Sequence, residues 1–251
     1  MNLNLTGRRV IVAGGSRGIG RSIALGFAEA GAAVSICARG ADALEATRRE
    51  LAAFGNPTHA QSCDLADAAA IAAFIPAAAA ALGGIDILVN NASGFGRGDD
   101  EESWDASLAV DLMAAVRASR AAVPFLLKGT QPTIIHIASG SGLNPSVRTP
   151  AYGAAKAAVI HYTRTQAATL AKHGIRVNCV APGSIEFPGG SWEKRKTDDP
   201  KLYDGILNSM PAGRLGRPEE VANVVLFLAS SAAIWVTAQI ISVNGGQGFG
   251  R

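Results

Sequence analysis

Short continuous apolar runs alternate along this chain with longer, alanine-rich stretches whose polar positions recur at helical spacing. The apolar runs at 10–13, 33–37, 85–89, 133–138, 175–180 and 240–243 read as strands, and a weaker strand is expected to end at Cys63. The stretches at 18–30, 41–54, 67–82, 103–127, 151–173 and 218–230 read as helices. Strands that are apolar throughout, rather than at alternate positions, are buried on both faces, which predicts a parallel sheet covered by helices. The expected fold class is therefore α/β, a doubly wound Rossmann-type parallel sheet of about seven strands with helices on both faces. No linker, low-complexity tract or charge block interrupts the alternation, so residues 1–251 are expected to form one domain.

One interval departs from the rhythm. Residues 184–217 are rich in Gly and Pro and carry Phe187, Trp192, Tyr203 and Met210, the composition of a lid or binding loop inserted after a core strand. The plainer reading is that these aromatics pack the segment onto the body. The run Glu193-Lys194-Arg195-Lys196 with Asp198-Asp199 reads as a solvated helix face.

Composition narrows the function classes. With 48% hydrophobic residues the chain can bury a full core, and a net charge of +3 with scattered arginines lacks the footprint of a nucleic-acid binder. Cys37, Cys63 and Cys179 have no metal-ligand spacing and read as buried, reduced thiols of a cytoplasmic protein. His59, His136, His161 and His173 are dispersed, so no metal site is expected. Neither a signal peptide nor a membrane span is evident, and the N-terminal residues 1–5 lack the pattern of either.

In such folds ligands bind beyond the carboxyl ends of the strands, and the chemistry-bearing residues cluster there in sequence. Gly14-Gly15-Ser16-Arg17-Gly18-Ile19-Gly20 follows a predicted strand and opens a predicted helix, the context in which glycines let a pyrophosphate approach the helix N-terminus. Tyr152 and Lys156 are four residues apart on a predicted helix and share a face. A cation beside a phenol favours the phenolate, so the pair predicts a phenol lowered towards neutrality from its ordinary pKa of about 10.

Together with Asp64-Leu65, Asn90-Asn91-Ala92, Ser139, Asn178, Pro182-Gly183 and the tail 213–222, these residues resemble the short-chain dehydrogenase/reductase family over nearly the whole chain, in particular members like 3-oxoacyl-carrier-protein reductases. The resemblance implies that Tyr152 is the acid or base at the substrate oxygen, that Ser139 orients that oxygen, and that Lys156 tunes the tyrosine and holds the nicotinamide ribose. Ser141 is the rival for the serine role. The resemblance places Gly14, Ser16, Arg17, Gly18, Ile19, Gly20, Asp64, Leu65, Asn91, Ala92, Pro182, Gly183 and Ile185 around the cofactor. Asn90 and Asp86 are expected to tie strands together. At the end of the second strand no carboxylate is present to repel a 2′-phosphate, and Arg39 with Arg17 could clamp one, which favours NADP(H) over NAD(H). Ser139, Phe95, Phe187 and Trp192 are the candidate substrate contacts.

Position 111 is usually Asn in this family, where it holds a relay water. Asp111 is expected to keep the relay, to favour the Lys156 ammonium, and to shift the activity optimum towards higher pH. Ala13, Ser93 and Phe187 are further departures near the cofactor. The resemblance implies a small-molecule substrate and a homotetramer paired through 103–127 and 151–173, with Ala114, Ala115, Ala118, Ala121 and Ala122 allowing close approach. The implied function is an NADP(H)-dependent oxidoreductase interconverting a carbonyl and a secondary alcohol on a hydrophobic ketone or 3-oxoacyl substrate. The alternatives are an NAD-dependent alcohol or hydroxysteroid-type dehydrogenase and, from another class, a catalytically silent cofactor-binding regulator.

Overall fold

The computed structural model describes residues 3–248; Met1 and Asn2 of the N-terminal reading lie outside them. In chain order the main elements are β1 (Arg9–Ala13), α1 (Gly18–Glu29), β2 (Ala33–Ala38), α2 (Ala41–Ala52), β3 (Thr58–Ser62), α3 (Ala68–Leu82) and β4 (Ile87–Asn90). They continue as α4 (Glu101–Ala106), α5 (Ala114–Leu126), β5 (Thr133–Ile137), α6 (Pro150–Leu170), β6 (Arg176–Pro182), α7 (Ser191–Asp198), α8 (Pro200–Ser209), α9 (Pro218–Ala229) and β7 (Ile240–Val243). The strands form one seven-stranded sheet, all pairs parallel, in the order β3-β2-β1-β4-β5-β6-β7. The order reverses between β1 and β4, so the loops leaving these two strands diverge and open a crevice at the sheet's carboxyl edge.

β4, β5 and β6 are buried throughout, and β1 and β2 at every position but Arg9 and Ala38, as their apolar character requires. On one face α1 and α9 pack together with Ile23, Phe27, Val225 and Leu228 fully buried. On the other, α3 and α5 pack together over Phe74, Ile75, Ala78, Ala118, Ala122 and Leu126. Burying each large side chain contributes about 1.5–3 kcal/mol, so both helical layers are held firmly to the sheet. Arg9 joins Asp86 through a two-armed contact, Nε at 2.8 Å and Nη2 at 2.7 Å, and the Asp86 carboxylate also accepts from Arg9 N and Thr130 N. The expected tie between strand ends is therefore present.

Several expectations need correction. Ala114, Ala115, Ala118 and Ala122 are buried within this one chain, and Ala114, Ala118 and Ala122 pack into the core that α3 shares with the sheet. The helix expected over 103–127 begins at Glu101, where Asp100 caps it by accepting from Ser103 N at 2.9 Å. Its middle, Ser107–Met113, widens into a π-helical segment. The helix expected over 151–173 runs from Pro150 to Leu170 and closes in a 3₁₀ turn at Ala171–His173. Residues 184–217 hold two helices, α7 and α8, rather than an open loop, with Asp199 capping α8 through Leu202 N at 3.1 Å. Among the described residues no helix is long and apolar enough to cross a membrane.

Candidate active site

The glycine turn leaves β1 at Gly14, whose φ of +84° only glycine adopts without strain. The carbonyl of Cys37 at the end of β2 accepts from Gly14 N at 3.0 Å and Gly15 N at 3.2 Å, and Thr47 of α2 donates to Ser16 O at 3.0 Å. A Cβ on Gly20 would stand 2.0 Å from Gly14 O and 2.4 Å from Asn91 Nδ2, so the start of α1 can approach the turn only as glycine. Arg17 at the N-cap makes no side-chain cap, which leaves the first N–H groups of α1 facing the crevice. This cradle fits a dinucleotide pyrophosphate. Arg17 and Arg39 are exposed beside it and take part in none of the seven ion pairs among the described residues. Leu65 is buried and Asp64 exposed at the end of β3, with Asp64 accepting from Ala66 N at 3.0 Å. Asn91 turns its amide onto Gly14 O at 2.8 Å, so it braces the turn, and Ala92 backs Gly14 from the same loop.

Beyond β5 and β6 the reacting groups converge. Lys156 is buried, donates to Ile137 O at 3.0 Å, and stands 3.2 Å from Asp111 Oδ1. Asp111 thus meets the lysine directly, where sequence reasoning placed a water between them. The π-helical segment turns Asp111 inward, and such widened turns recur at functional sites. Its other oxygen, Oδ2, accepts from Gly94 N at 3.1 Å and Phe95 N at 3.2 Å. One carboxylate therefore holds both the lysine and the loop that carries Phe95. A cavity of about 10 Å³, the room of a single water, adjoins the pair and is lined by Asn90, Asp111, Ile137 and Lys156.

The Lys156 ammonium lies 5.6 Å from the centre of the Tyr152 ring, and Phe95 meets that ring edge-on at 5.0 Å. Phe95 reaches this position with a left-handed φ of 49°, an uncommon conformation for an aromatic residue. Burial pushes the Tyr152 phenol up, the Lys156 charge pulls it down, the Asp111 charge pushes it up, and the Ser139 hydroxyl pulls it down; the net direction is upward. The expected drop towards neutrality is corrected here, because burial outweighs the single nearby cation whose field Asp111 opposes. Burial depresses Lys156, but the Asp111 and Tyr152 charges more than compensate and raise it. Ser139 sits at the end of β5 and accepts from Ser141 N at 3.1 Å, which leaves its own O–H free to donate; Ser141 lies in the following 3₁₀ turn.

Beneath the site, His136 of β5 is fully buried between Asn90 Nδ2, 3.2 Å from Nδ1, and Gln166 Oε1, 3.0 Å from Nε2. Nδ2 of Asn90 can only donate, so Nδ1 accepts and the ring proton stands on Nε2, which donates to Gln166 Oε1. Asn90 also donates to Ser119 Oγ at 3.1 Å, so it links β4, β5 and α5 as expected.

Gly183 N bonds Val243 O at 3.0 Å, and Gln247 clamps Ser184 through both its amide atoms, which fixes Pro182, Gly183 and Ile185 along the crevice. Phe187 lies elsewhere than its expected place against substrate: a Cβ on Gly18 would be 2.5 Å from its ring, so the ring packs on the glycine turn. Trp192 of α7 carries Arg195 on its face at 4.6 Å. Sequence reasoning missed the direct Asp111–Lys156 pair and the bracing role of Asn91. Of these, only the unusual acid at position 111 left a signal in the sequence. All three cysteines are free and buried.

The chain is similar to known proteins over nearly its whole length. A family model described as enoyl-(acyl carrier protein) reductase matches residues 13–247. A 3-oxoacyl-[acyl-carrier-protein] reductase of Thermotoga maritima is 34% identical over 249 residues, 97% of this chain and 99% of its relative. The structure of L-sorbose reductase from Gluconobacter frateurii, complexed with NADPH and L-sorbose, superposes with a TM-score of 0.91 at 33% identity, covering 98% of each chain. A 7α-hydroxysteroid dehydrogenase complexed with NADH and a 7-oxo bile acid gives the same TM-score, 0.91, at 33% identity, covering 98% of this chain and 96% of that one.

Proposed function

The chain belongs to the short-chain dehydrogenase/reductase family, a nicotinamide-dependent oxidoreductase acting on carbonyl and alcohol groups, and from that premise we propose that it reduces a hydrophobic ketone or 3-oxoacyl substrate with NADP(H). The observation that carries this proposal is the convergence of Ser139, Tyr152 and Lys156 at the carboxyl ends of β5 and β6, with the ammonium held between Ile137 O and Asp111. When bound, the nicotinamide supplies hydride to the carbonyl carbon. Gly14, Ser16, Gly18, Ile19 and Gly20 would cradle the pyrophosphate, Asp64, Leu65 and Ala92 the adenosine, Lys156 the ribose, and Pro182, Gly183 and Ile185 the nicotinamide face. Arg17 and Arg39 would meet a 2′-phosphate.

Negative charge develops on the substrate oxygen as the carbonyl is reduced, and the chain meets it with two hydroxyl donors. Ser139 donates to that oxygen, and Tyr152 transfers its proton to it. A phenol raised by burial stays protonated across the physiological range, which suits a donor in the reductive direction. Lys156 keeps a positive charge beneath the ring and stabilises the phenolate left behind. Phe95 and Trp192 would supply the apolar walls of the substrate cleft, with 184–217 as its lid.

Tyr152→Phe tests the proposal. Turnover of ketones should fall by a factor of about 10² to 10⁴ while NADPH binding changes little, because the ring and its packing remain. Turnover retained at the parental rate would remove Tyr152 from the proton transfer, and a parent inactive on every ketone would favour the cofactor-binding regulator.

A further inference from the structure

Gly18 opens α1 with a φ of +52°, and a Cβ built on it would meet three atoms of the Phe187 ring at 2.5, 2.7 and 2.9 Å. The ring therefore fills the room that the missing side chain leaves above the first turn of α1. On its other side it abuts Gly190, where an added Cβ would stand 3.0 Å from Cε2, so the ring lies between two glycines. It is half-buried there and packs, with Ile19, against the core that α1 shares with α9.

A dinucleotide needs that same room. The N–H groups at a helix start hold a phosphate only where the phosphate can reach the backbone, which is what a glycine at the first position allows. A phenyl ring offers no donor and no charge, and burying a diphosphate against it would leave the anion unpaired, so ring and pyrophosphate cannot share the seat. The turn that carries the ring is fastened to both helices of 184–217. Gly190 N donates to Phe187 O at 2.9 Å, and Gly189, at a φ of +72°, donates its N–H to Glu193 Oε2 of α7 at 2.6 Å. Glu186, on the other side of the ring, pairs with Lys196 of α7 and accepts from the Tyr203 hydroxyl of α8 at 2.9 Å. The position of the ring and that of the lid helices are thereby coupled.

We propose that Phe187 is an internal competitor of the cofactor: its ring occupies the pyrophosphate seat at the start of α1, and the dinucleotide enters by displacing it. This deepens the nicotinamide-dependent reading of the site, on which it rests. The apparent cofactor affinity is then the intrinsic affinity reduced by the fraction of molecules whose ring has left the seat. Because ring and lid are joined, cofactor entry also repositions the lid over the substrate cleft.

Calorimetric titration of the full chain with NADPH, or with NADH should that bind more tightly, tests this in the parent, Phe187→Ala and Phe187→Leu. Affinity should rise about tenfold or more in Phe187→Ala, since truncation removes the apolar contact that keeps the ring on Gly18. It should rise by less in Phe187→Leu, which keeps part of that contact and carries the test alone if urea denaturation shows the alanine variant unfolded. Adenosine 2′-phosphate, which carries the far end of the cofactor without the pyrophosphate, should bind parent and variants alike. Equal cofactor affinity in parent and folded variants would overturn the proposal, and so would weaker binding by the variants, which would mean that the ring stacks on the bound dinucleotide. A gain shared equally by adenosine 2′-phosphate would overturn it too, because the ring would then act on the whole site rather than on the pyrophosphate seat. In each of these cases cofactor binding by the parent leaves the nicotinamide-dependent reading standing. Failure of the parent and both variants to bind either dinucleotide would sink that reading, and this proposal with it.

Discussion

Asp111 shows how one atom's difference from an amide redistributes a site. Its Oδ1 faces Lys156 and its Oδ2 accepts from Gly94 N and Phe95 N, so charge and loop position are joined in one side chain. In Asp111→Asn the amide oxygen can still accept from the loop, but the charge is gone. The Asp111 charge raises Tyr152, so its removal should move the alkaline limb of the reductive pH–rate profile to lower pH. Because Lys156 is raised in the folded state above its unfolded value of about 10.4, the stability from the pair is fully present below that pH and lost as pH climbs through the folded value. Leaving the buried ammonium unpaired should therefore destabilise the variant by about 3–5 kcal/mol in neutral urea denaturation. Superimposable pH–rate profiles for parent and variant would end this account. The Tyr152–Lys156 pairing was legible in the sequence because helix spacing alone places the two on one face. The direction of the phenol's shift was not, since it depends on burial that no spacing encodes.

At the scale of elements, β4, β5, α5 and α6 are stitched together through Asn90, Ser119, His136, Gln166 and Tyr162. Burial lowers the His136 pKa to about 4. The folded state thus favours the neutral ring, and the stabilisation is fully present above the unfolded pKa of about 6.5 and lost as pH falls towards the folded value. The parent should lose about 3 kcal/mol more than His136→Gln between pH 7 and pH 4, read from urea midpoints at each pH. Equal acid losses in the two proteins would show that His136 does not titrate in this way. Strand and helix identities were readable from apolar periodicity, whereas the π-helical widening at Ser107–Met113 was not. No residue type signals it; it forms where Asp111 is drawn to Lys156 and Ser107 accepts from Gly96 N at 3.1 Å.

Across the whole molecule, the exposed positive charge at the carboxyl end of β2 bears on the choice of cofactor. Relatives of the same fold hold NADPH or NADH, so the preference here turns on local charge rather than on architecture. Arg17 and Arg39 stand exposed beside the glycine turn, with no carboxylate at the end of β2. NADPH should bind about tenfold or more tightly than NADH at low salt, and the preference should vanish in Arg39→Ala, as nicotinamide fluorescence titration would show. Equal or tighter NADH binding would make both arginines ordinary surface residues.

The sequence by itself determined the α/β alternation, the parallel sheet, the glycine turn and the helical pairing of Tyr152 with Lys156. Each depends on periodicity or on spacing within a single element, and such local geometry is written in consecutive residues. Only the tertiary structure decided that Asp111 would meet Lys156 directly and that Phe187 would cover Gly18. These positions lie on separate segments, and their distances are set by how helices and loops pack onto the sheet, a result of the whole core that no single stretch of chain carries.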